Sequence, residues 1–155
     1  MSSKSSIMAL IAMAITVSQP AWSQVPEGGQ TYFNISDDPE SPKLLHLDEI
    51  TDDGDLRYLP VTDIFGGDEP FGLLSVFKID CPAETLDIVA AAQLTSDTTE
   101  PDIRPIDIDN TVDARASDWA WIMYRVACEG KADLERRRVY QGSYADVMAR
   151  FWRKR

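Results

Sequence analysis

The chain has 155 residues, with 26 Asp/Glu against 15 Lys/Arg, one histidine and two cysteines. The formal net charge of −11 argues against a body that holds nucleic acid. One histidine and two cysteines that can pair with each other leave too few soft ligands for a structural zinc site.

The first residues read as a secretory signal. Lys4 supplies a positive start, Ile7 to Val17 is an apolar run too short to cross a bilayer, and Pro20 breaks it. Ala21 to Ser23 offers the small residues a signal peptidase reads, so residues 1–23 are expected to leave and the mature chain to start near Gln24. No cysteine follows that site, so no lipid anchor is expected there. The expected location is secreted or periplasmic. In an oxidising compartment two cysteines normally pair, and within the chain Cys81 has only Cys128. Pairing between two chains stays open at this point.

Charge is divided along the chain. From Gln24 to Glu129, 6 Lys/Arg stand against 23 Asp/Glu; from Gly130 to Arg155, 8 stand against 3. An acidic body therefore carries a basic tail. The acidity serves solubility, or it steers basic partners toward the body.

Gly29 to Ser36 reads as a first strand. Pro39 and Pro42 mark the next stretch as a loop. Lys43 to Ile50 and Leu56 to Val61 read as a hairpin about the Asp53-Gly54 turn signal, followed by a loop, FGGDEPFG. In LLSVFKIDC, residues Leu73, Ser75, Phe77, Ile79 and Cys81 share one face of a strand. Residues 82–95 fit a helix or a strand. Alternation of Leu86, Ile88, Ala90, Ala92 and Leu94 tips the reading to strand, with all five on one face.

Further on, Val112, Ala116, Trp119, Met123 and Val126 recur as one helical face, with Thr111 or Ser117 as cap and Gly130 as stop. A strand through WAWIMYRVAC is the rival reading. Cys128 lies off that stripe, so the helix end must turn or fray if its sulfur is to reach the sheet. The last segment has Ser143 as a cap and an apolar stripe of Tyr144, Val147, Met148, Phe151 and Trp152 beside Arg150, Arg153, Lys154 and Arg155. That stripe can pack on the body, lie on an anionic membrane surface, or dock a protein partner. With the upstream cluster Arg136, Arg137 and Arg138, the pair Phe151 and Trp152 forms the candidate interaction set.

The elements SVFKIDC (Ser75 to Cys81) and YRVAC (Tyr124 to Cys128), after a signal and a short strand-and-hairpin beginning, resemble the surface-adhesin protein E type of small secreted bacterial protein. The match spans about Thr31 to Gly130 and is one of framework. The resemblance implies an antiparallel sheet with a helix held on it by a Cys81–Cys128 bridge. It also implies a non-enzymatic module that binds host matrix or plasma proteins, with no binding residue carried over. The long basic tail and the missing lipid anchor depart from that pattern.

The expected fold is thus α+β: an antiparallel sheet of five to six strands, a disulfide-linked helix and a C-terminal amphipathic helix. The domain is expected over residues 24–130, with a basic helical extension over 131–155. Chemistry is poorly supplied. A Ser-His-Asp site would have to use His46, which reads as a surface histidine, and no G-x-S-x-G elbow exists. The acidic clusters lack the spacing of a calcium loop. No catalytic residue, metal or cofactor is expected, and the partner sought is a protein. A second functional class is an inhibitor of a basic enzyme such as a lysozyme, although the S-G-x-x-Y loop of known inhibitors is missing.

Overall fold

The computed structural model describes residues 30–38, 41–66, 71–95, 97–98, 100–130 and 138–152. The expected signal (1–23) lies outside them, as do Arg136, Arg137, Arg153, Lys154, Arg155 and the side chains of Arg138 and Tyr144.

The architecture is α+β, with one antiparallel sheet between two helices. The strands are β1 (Gln30–Asn34), β2 (Lys43–His46), β3 (Thr51–Asp53), β4 (Leu56–Phe65), β5 (Phe71–Asp80), β6 (Thr85–Leu94), β7 (Arg104–Pro105), β8 (Val112–Asp113) and β9 (Arg138–Gly142). They run in the order β7-β6-β5-β4-β2-β1-β9, with β3 beside β4 and β8 beside β6. The helices are α1 (Asp118–Tyr124), continued by a π turn (Arg125–Glu129), and α2 (Tyr144–Trp152).

The nine strands among the described residues exceed the five to six expected, because short segments and one of the basic tail join the sheet. Strand β9 pairs with β1 along all five of its residues, from Gln30 opposite Gly142 to Asn34 opposite Arg138. The tail therefore extends the sheet before it forms its helix.

The expected strand from Lys43 to Ile50 divides in two. A 3-10 turn, Leu47–Glu49, separates β2 from β3, and both pair with β4. Pro60 explains the division. Pairing with β3 ends at Tyr58 and pairing with β2 starts at Val61, so the residue without an N–H falls in the gap. The turn from β3 to β4 is Gly54-Asp55, with Gly54 at φ +62, where a side chain is strained.

Side chains alternate between the two faces. On one face Phe33, Leu45, Leu59, Val61, Phe77, Ile79 and Leu86 pack with Ala120, Met123 and Tyr124 of α1. On the other, Tyr32, Leu44 and Ile64 pack with Val147 and Met148 of α2, and Leu74, Ala92 and Leu94 meet Trp152. Strand β6 serves both cores. Ile88 lies opposite Phe77 but Ala90 lies opposite Val76, so Val89 is an extra residue in a bulge. One extra residue reverses the sense of alternation. Leu86 and Ile88 therefore face α1, while Ala92 and Leu94 face α2; the five do not share a face as their spacing suggested.

The bulge frees backbone groups on the outer edge of β6, and the following loop satisfies them. The Asn110 carboxamide accepts from the Ile88 N–H at 2.6 Å and donates to the Ile88 carbonyl at 2.9 Å, and the Ile106 N–H donates to the Val89 carbonyl at 2.8 Å.

Helix α1 starts later than its expected stripe. Val112 and Asp113 are β8, Ala114–Ala116 is a 3-10 turn, and Ser117 is the cap, accepting from the Ala120 N–H. The buried face is Ala120, Met123 and Tyr124, one step round from the stripe through Trp119 and Val126. The Cys81–Cys128 bridge is present, with Cα atoms 5.7 Å apart. The π turn widens the last turn of the helix, which is how Cys128 comes round to the sheet.

Two stability predictions follow from this geometry. In the chain-entropy model a loop closed across 47 residues stabilises by about 4 kcal/mol. A Cys128→Ser variant should melt well below the oxidised parent, with α1 amides exchanging before those of β4 and β5. Equal melting temperatures would refute this. Replacing Asn110 with Ala removes both partners of Ile88 at the bulge and should cost about 1–3 kcal/mol in denaturant unfolding. No change beyond experimental error would mean that the bulge does not depend on Asn110.

Candidate interaction surface

His46 is buried, at 3% exposure, and is not the surface histidine its sequence position suggested. Its Nε2 lies 2.8 Å from Thr62 Oγ1 and its Nδ1 lies 3.4 Å from Glu49 Oε1, while the Tyr32 ring meets it edge-on at 4.8 Å. With the proton on Nδ1, the ring donates toward Glu49 and accepts from the Thr62 hydroxyl. A hydroxyl, an imidazole and a carboxylate are thus in the order of a nucleophilic relay. Thr62 is 0% exposed, so its hydroxyl has no open path to a substrate carbonyl in this conformation. The chain of groups instead ties β2, β4 and the 3-10 turn together.

A second polar cluster holds α1 to the turn between β5 and β6. Glu84 there has φ +52, an uncommon conformation for a residue with a side chain. Its carbonyl accepts from the Ala114 N–H, and its carboxylate takes two bonds from Arg115, at 2.7 and 3.1 Å. Arg115 also lies over the Trp121 ring at 4.4 Å, and Trp121 stacks on Tyr124, whose hydroxyl donates to the Cys81 carbonyl. The hydrogen bond from Arg115 holds the Glu84 carboxyl below its usual range, and Glu84 raises Arg115 in turn. On the other face, burial works to raise Asp87, but the Thr111 hydroxyl and the Lys78 ammonium outweigh it and hold its carboxyl low. These groups brace the fold through paired contacts between its elements. Among the described residues no group of three or more His, Cys, Asp or Glu is placed to hold a metal ion.

Of the candidate interaction set, Phe151 and Trp152 are half-buried against the α2 side of the sheet. Phe151 meets Tyr140 edge-on at 5.2 Å. Val147 and Met148 are fully covered, so the apolar stripe packs on the body. Ser143 caps this helix by accepting from the Asp146 N–H and donating to its carboxylate. Arg138 begins β9, opposite Asn34, and Arg136 and Arg137 lie outside the described residues.

The exposed apolar surface lies elsewhere. Phe65 and Phe71 are an opposed pair at the end of the β4–β5 hairpin, stacked at 4.8 Å with their rings 20° from parallel. Leu73 follows on the same face, opposite Asp63, which is opposite Lys43. Lys43 is ion-paired with Asp63 and lies 5.3 Å from the Trp119 ring, which also meets Phe77 edge-on. Phe65, Phe71, Leu73 and Trp119 are 38%, 40%, 36% and 37% exposed. They border the half of the face that α1 does not reach. This cluster is not legible in the residue pattern, since FGGDEPFG reads as a loop and Trp119 falls on the expected core stripe.

All six Lys/Arg between Gln24 and Glu129 are in ion pairs, with Asp63, Asp52, Asp87, Asp102, Glu84 and Glu129. The body's own cations are used by six of its 23 carboxylates, and its field is negative.

No family model, curated protein or solved structure matches the chain.

The buried relay makes a direct prediction. Thr62→Val keeps the shape but leaves His46 Nε2 without the hydroxyl, and should destabilise by about 1–3 kcal/mol. Chemical denaturation measures it, and a neutral result would remove the bracing role assigned to His46.

Proposed function

We propose that this protein is a non-enzymatic interaction module that works outside the cytoplasm, of the surface-adhesin protein E type. The observation that carries the reading is the exposed cluster of Phe65, Phe71, Leu73 and Trp119 on a braced sheet. Large apolar side chains grouped on one face are characteristic of binding surfaces. The groups that resemble catalytic machinery are enclosed, as Thr62 is, or committed to ion pairs, as Glu84 and Arg115 are. The Cys81–Cys128 bridge supports an oxidising compartment. Among the described residues no helix is long and apolar enough to cross a membrane. Residues 1–23 act in this reading as the export signal.

The negative field of the body also supports the second reading, capture of a basic enzyme as an inhibitor. Residual lysozyme activity with and without the protein, at low and high salt, separates the two; inhibition at low salt alone selects the inhibitor.

The module reading is tested by expressing the full chain in a diderm bacterial host. The exported form should lack residues 1–23, carry no alkylatable thiol, and cross-link to a protein whose complex can be rebuilt from purified components. Turnover of an esterase, peptidase or glycosidase substrate, abolished by one substitution, would overturn it.

A further inference from the structure

The exposed cluster is bounded in a way that selects its occupant. Phe65 and Phe71 form a flat apolar step at the hairpin end, and Leu73 continues it one same-face row inward. Trp119 closes the cluster from the side of α1, in reach of Lys43. Lys43, beside this surface, has its charge spent on Asp63, and Arg104, opposite Ala91 at the sheet edge, on Asp102. Exposed Asp118 adjoins Trp119 at the start of α1. Among the described residues, the connections at this end of the sheet carry Asp37, Asp38, Asp97, Glu100 and Asp102, the last paired with Arg104. An apolar floor on an acidic body matches a ligand with apolar anchors and flanking cations. It opposes a second copy of the same acidic body, and it opposes an anionic lipid surface.

Resting on the interaction-module reading, we propose that Phe65, Phe71, Leu73 and Trp119 form the docking site for a cationic protein segment. In that segment aliphatic side chains alternate with Lys or Arg. The aliphatic groups cover the phenyl step and the indole, and the cations meet Asp118 and the negative field of the body. Apolar contact sets the lifetime of the complex, and the field of the body raises its rate of formation.

The test uses the oxidised full-length mature chain and three short synthetic peptides: alternating Lys and Leu, alternating Lys and Ser, and alternating Glu and Leu. Titration calorimetry should show the Lys–Leu peptide binding at least about tenfold more tightly than either control, with affinity falling as salt rises. Leu73→Lys changes an exposed side chain and places a like charge in the site. It should weaken Lys–Leu binding by about tenfold or more while the melting temperature holds. Phe71→Ser should weaken it too. Equal binding of the Glu–Leu peptide, or undiminished binding to Leu73→Lys, would overturn the proposal. So would dimerisation lost on Leu73→Lys, which would assign the surface to a second copy, or binding to vesicles of anionic phospholipid. The rebuilt cross-linked complex separates the two levels of inference. If it forms equally well with Leu73→Lys, this site is wrong and the module reading stands.

Discussion

A helix of seven residues is too short to persist by its own hydrogen bonds, and α1 depends on being tied. The tie is at one end. Cys128 is bonded to Cys81, Tyr124 donates to the Cys81 carbonyl, and the stack of Arg115, Trp121 and Tyr124 closes over the same turn. Strands β4 and β5 each run for ten residues, far longer than a seven-residue helix anchored at the Cys81 end can cover. The hairpin end at Phe65 and Phe71 is therefore left open as a geometric consequence of where the bridge sits. The same constraint sets the π turn, since a regular continuation of α1 would leave the Cys128 sulfur off the face that meets the sheet.

Covering both faces of the sheet with short helices demands that one strand serve two cores, and the bulge at Val89 meets that demand. Without the extra residue, Leu86 through Leu94 would present all five alternate side chains to α1, and Trp152 would meet the polar side of β6. The Asn110 carboxamide stands in for the neighbouring strand that the bulge displaces. The tail is part of the same solution: β9 completes the sheet beside β1, and α2 then folds back over Tyr32, Leu44 and Ile64. Cations there travel with an apolar stripe because that stripe is core.

The legible parts of the fold were those in which local pattern and tertiary environment agree. Strand β5, the turn at Gly54 and the cap Ser143 follow from residue type and spacing alone, Ser117 was one of two caps the spacing allowed, and the cysteine pairing rested on an expected oxidising compartment with no third cysteine. The bulge was not legible, because an insertion that reverses alternation leaves the alternation itself intact on either side. Strand β9 is five residues with only Val139 and Tyr140 as strand formers, and its existence depends on β1 being there to receive it. His46 was misplaced for a similar reason: a polar residue at the end of a strand reads as exposed until Thr62 and Tyr32, distant in sequence, are brought against it. The candidate surface was hidden most completely. Phe65 and Phe71 become neighbours only through the register of β4 and β5, and Trp119 becomes a rim residue only because the buried face of α1 turns one step from its apparent stripe.

An exposed phenyl pair on a sheet invites unwanted association between copies, so its persistence in a folded chain calls for something that keeps copies apart. The body supplies it. Each Lys or Arg between Gln24 and Glu129 is already held in an ion pair with a carboxylate of the same body, and bodies of like sign repel as they approach. Arg150 does not undo this near the cluster, because α2 lies on the opposite face of the sheet from Phe65 and Phe71. The acidity and the apolar cluster therefore act together. The charge permits the aromatic side chains to remain uncovered in isolation, and it is the same charge that favours a basic surface as the thing that finally covers them.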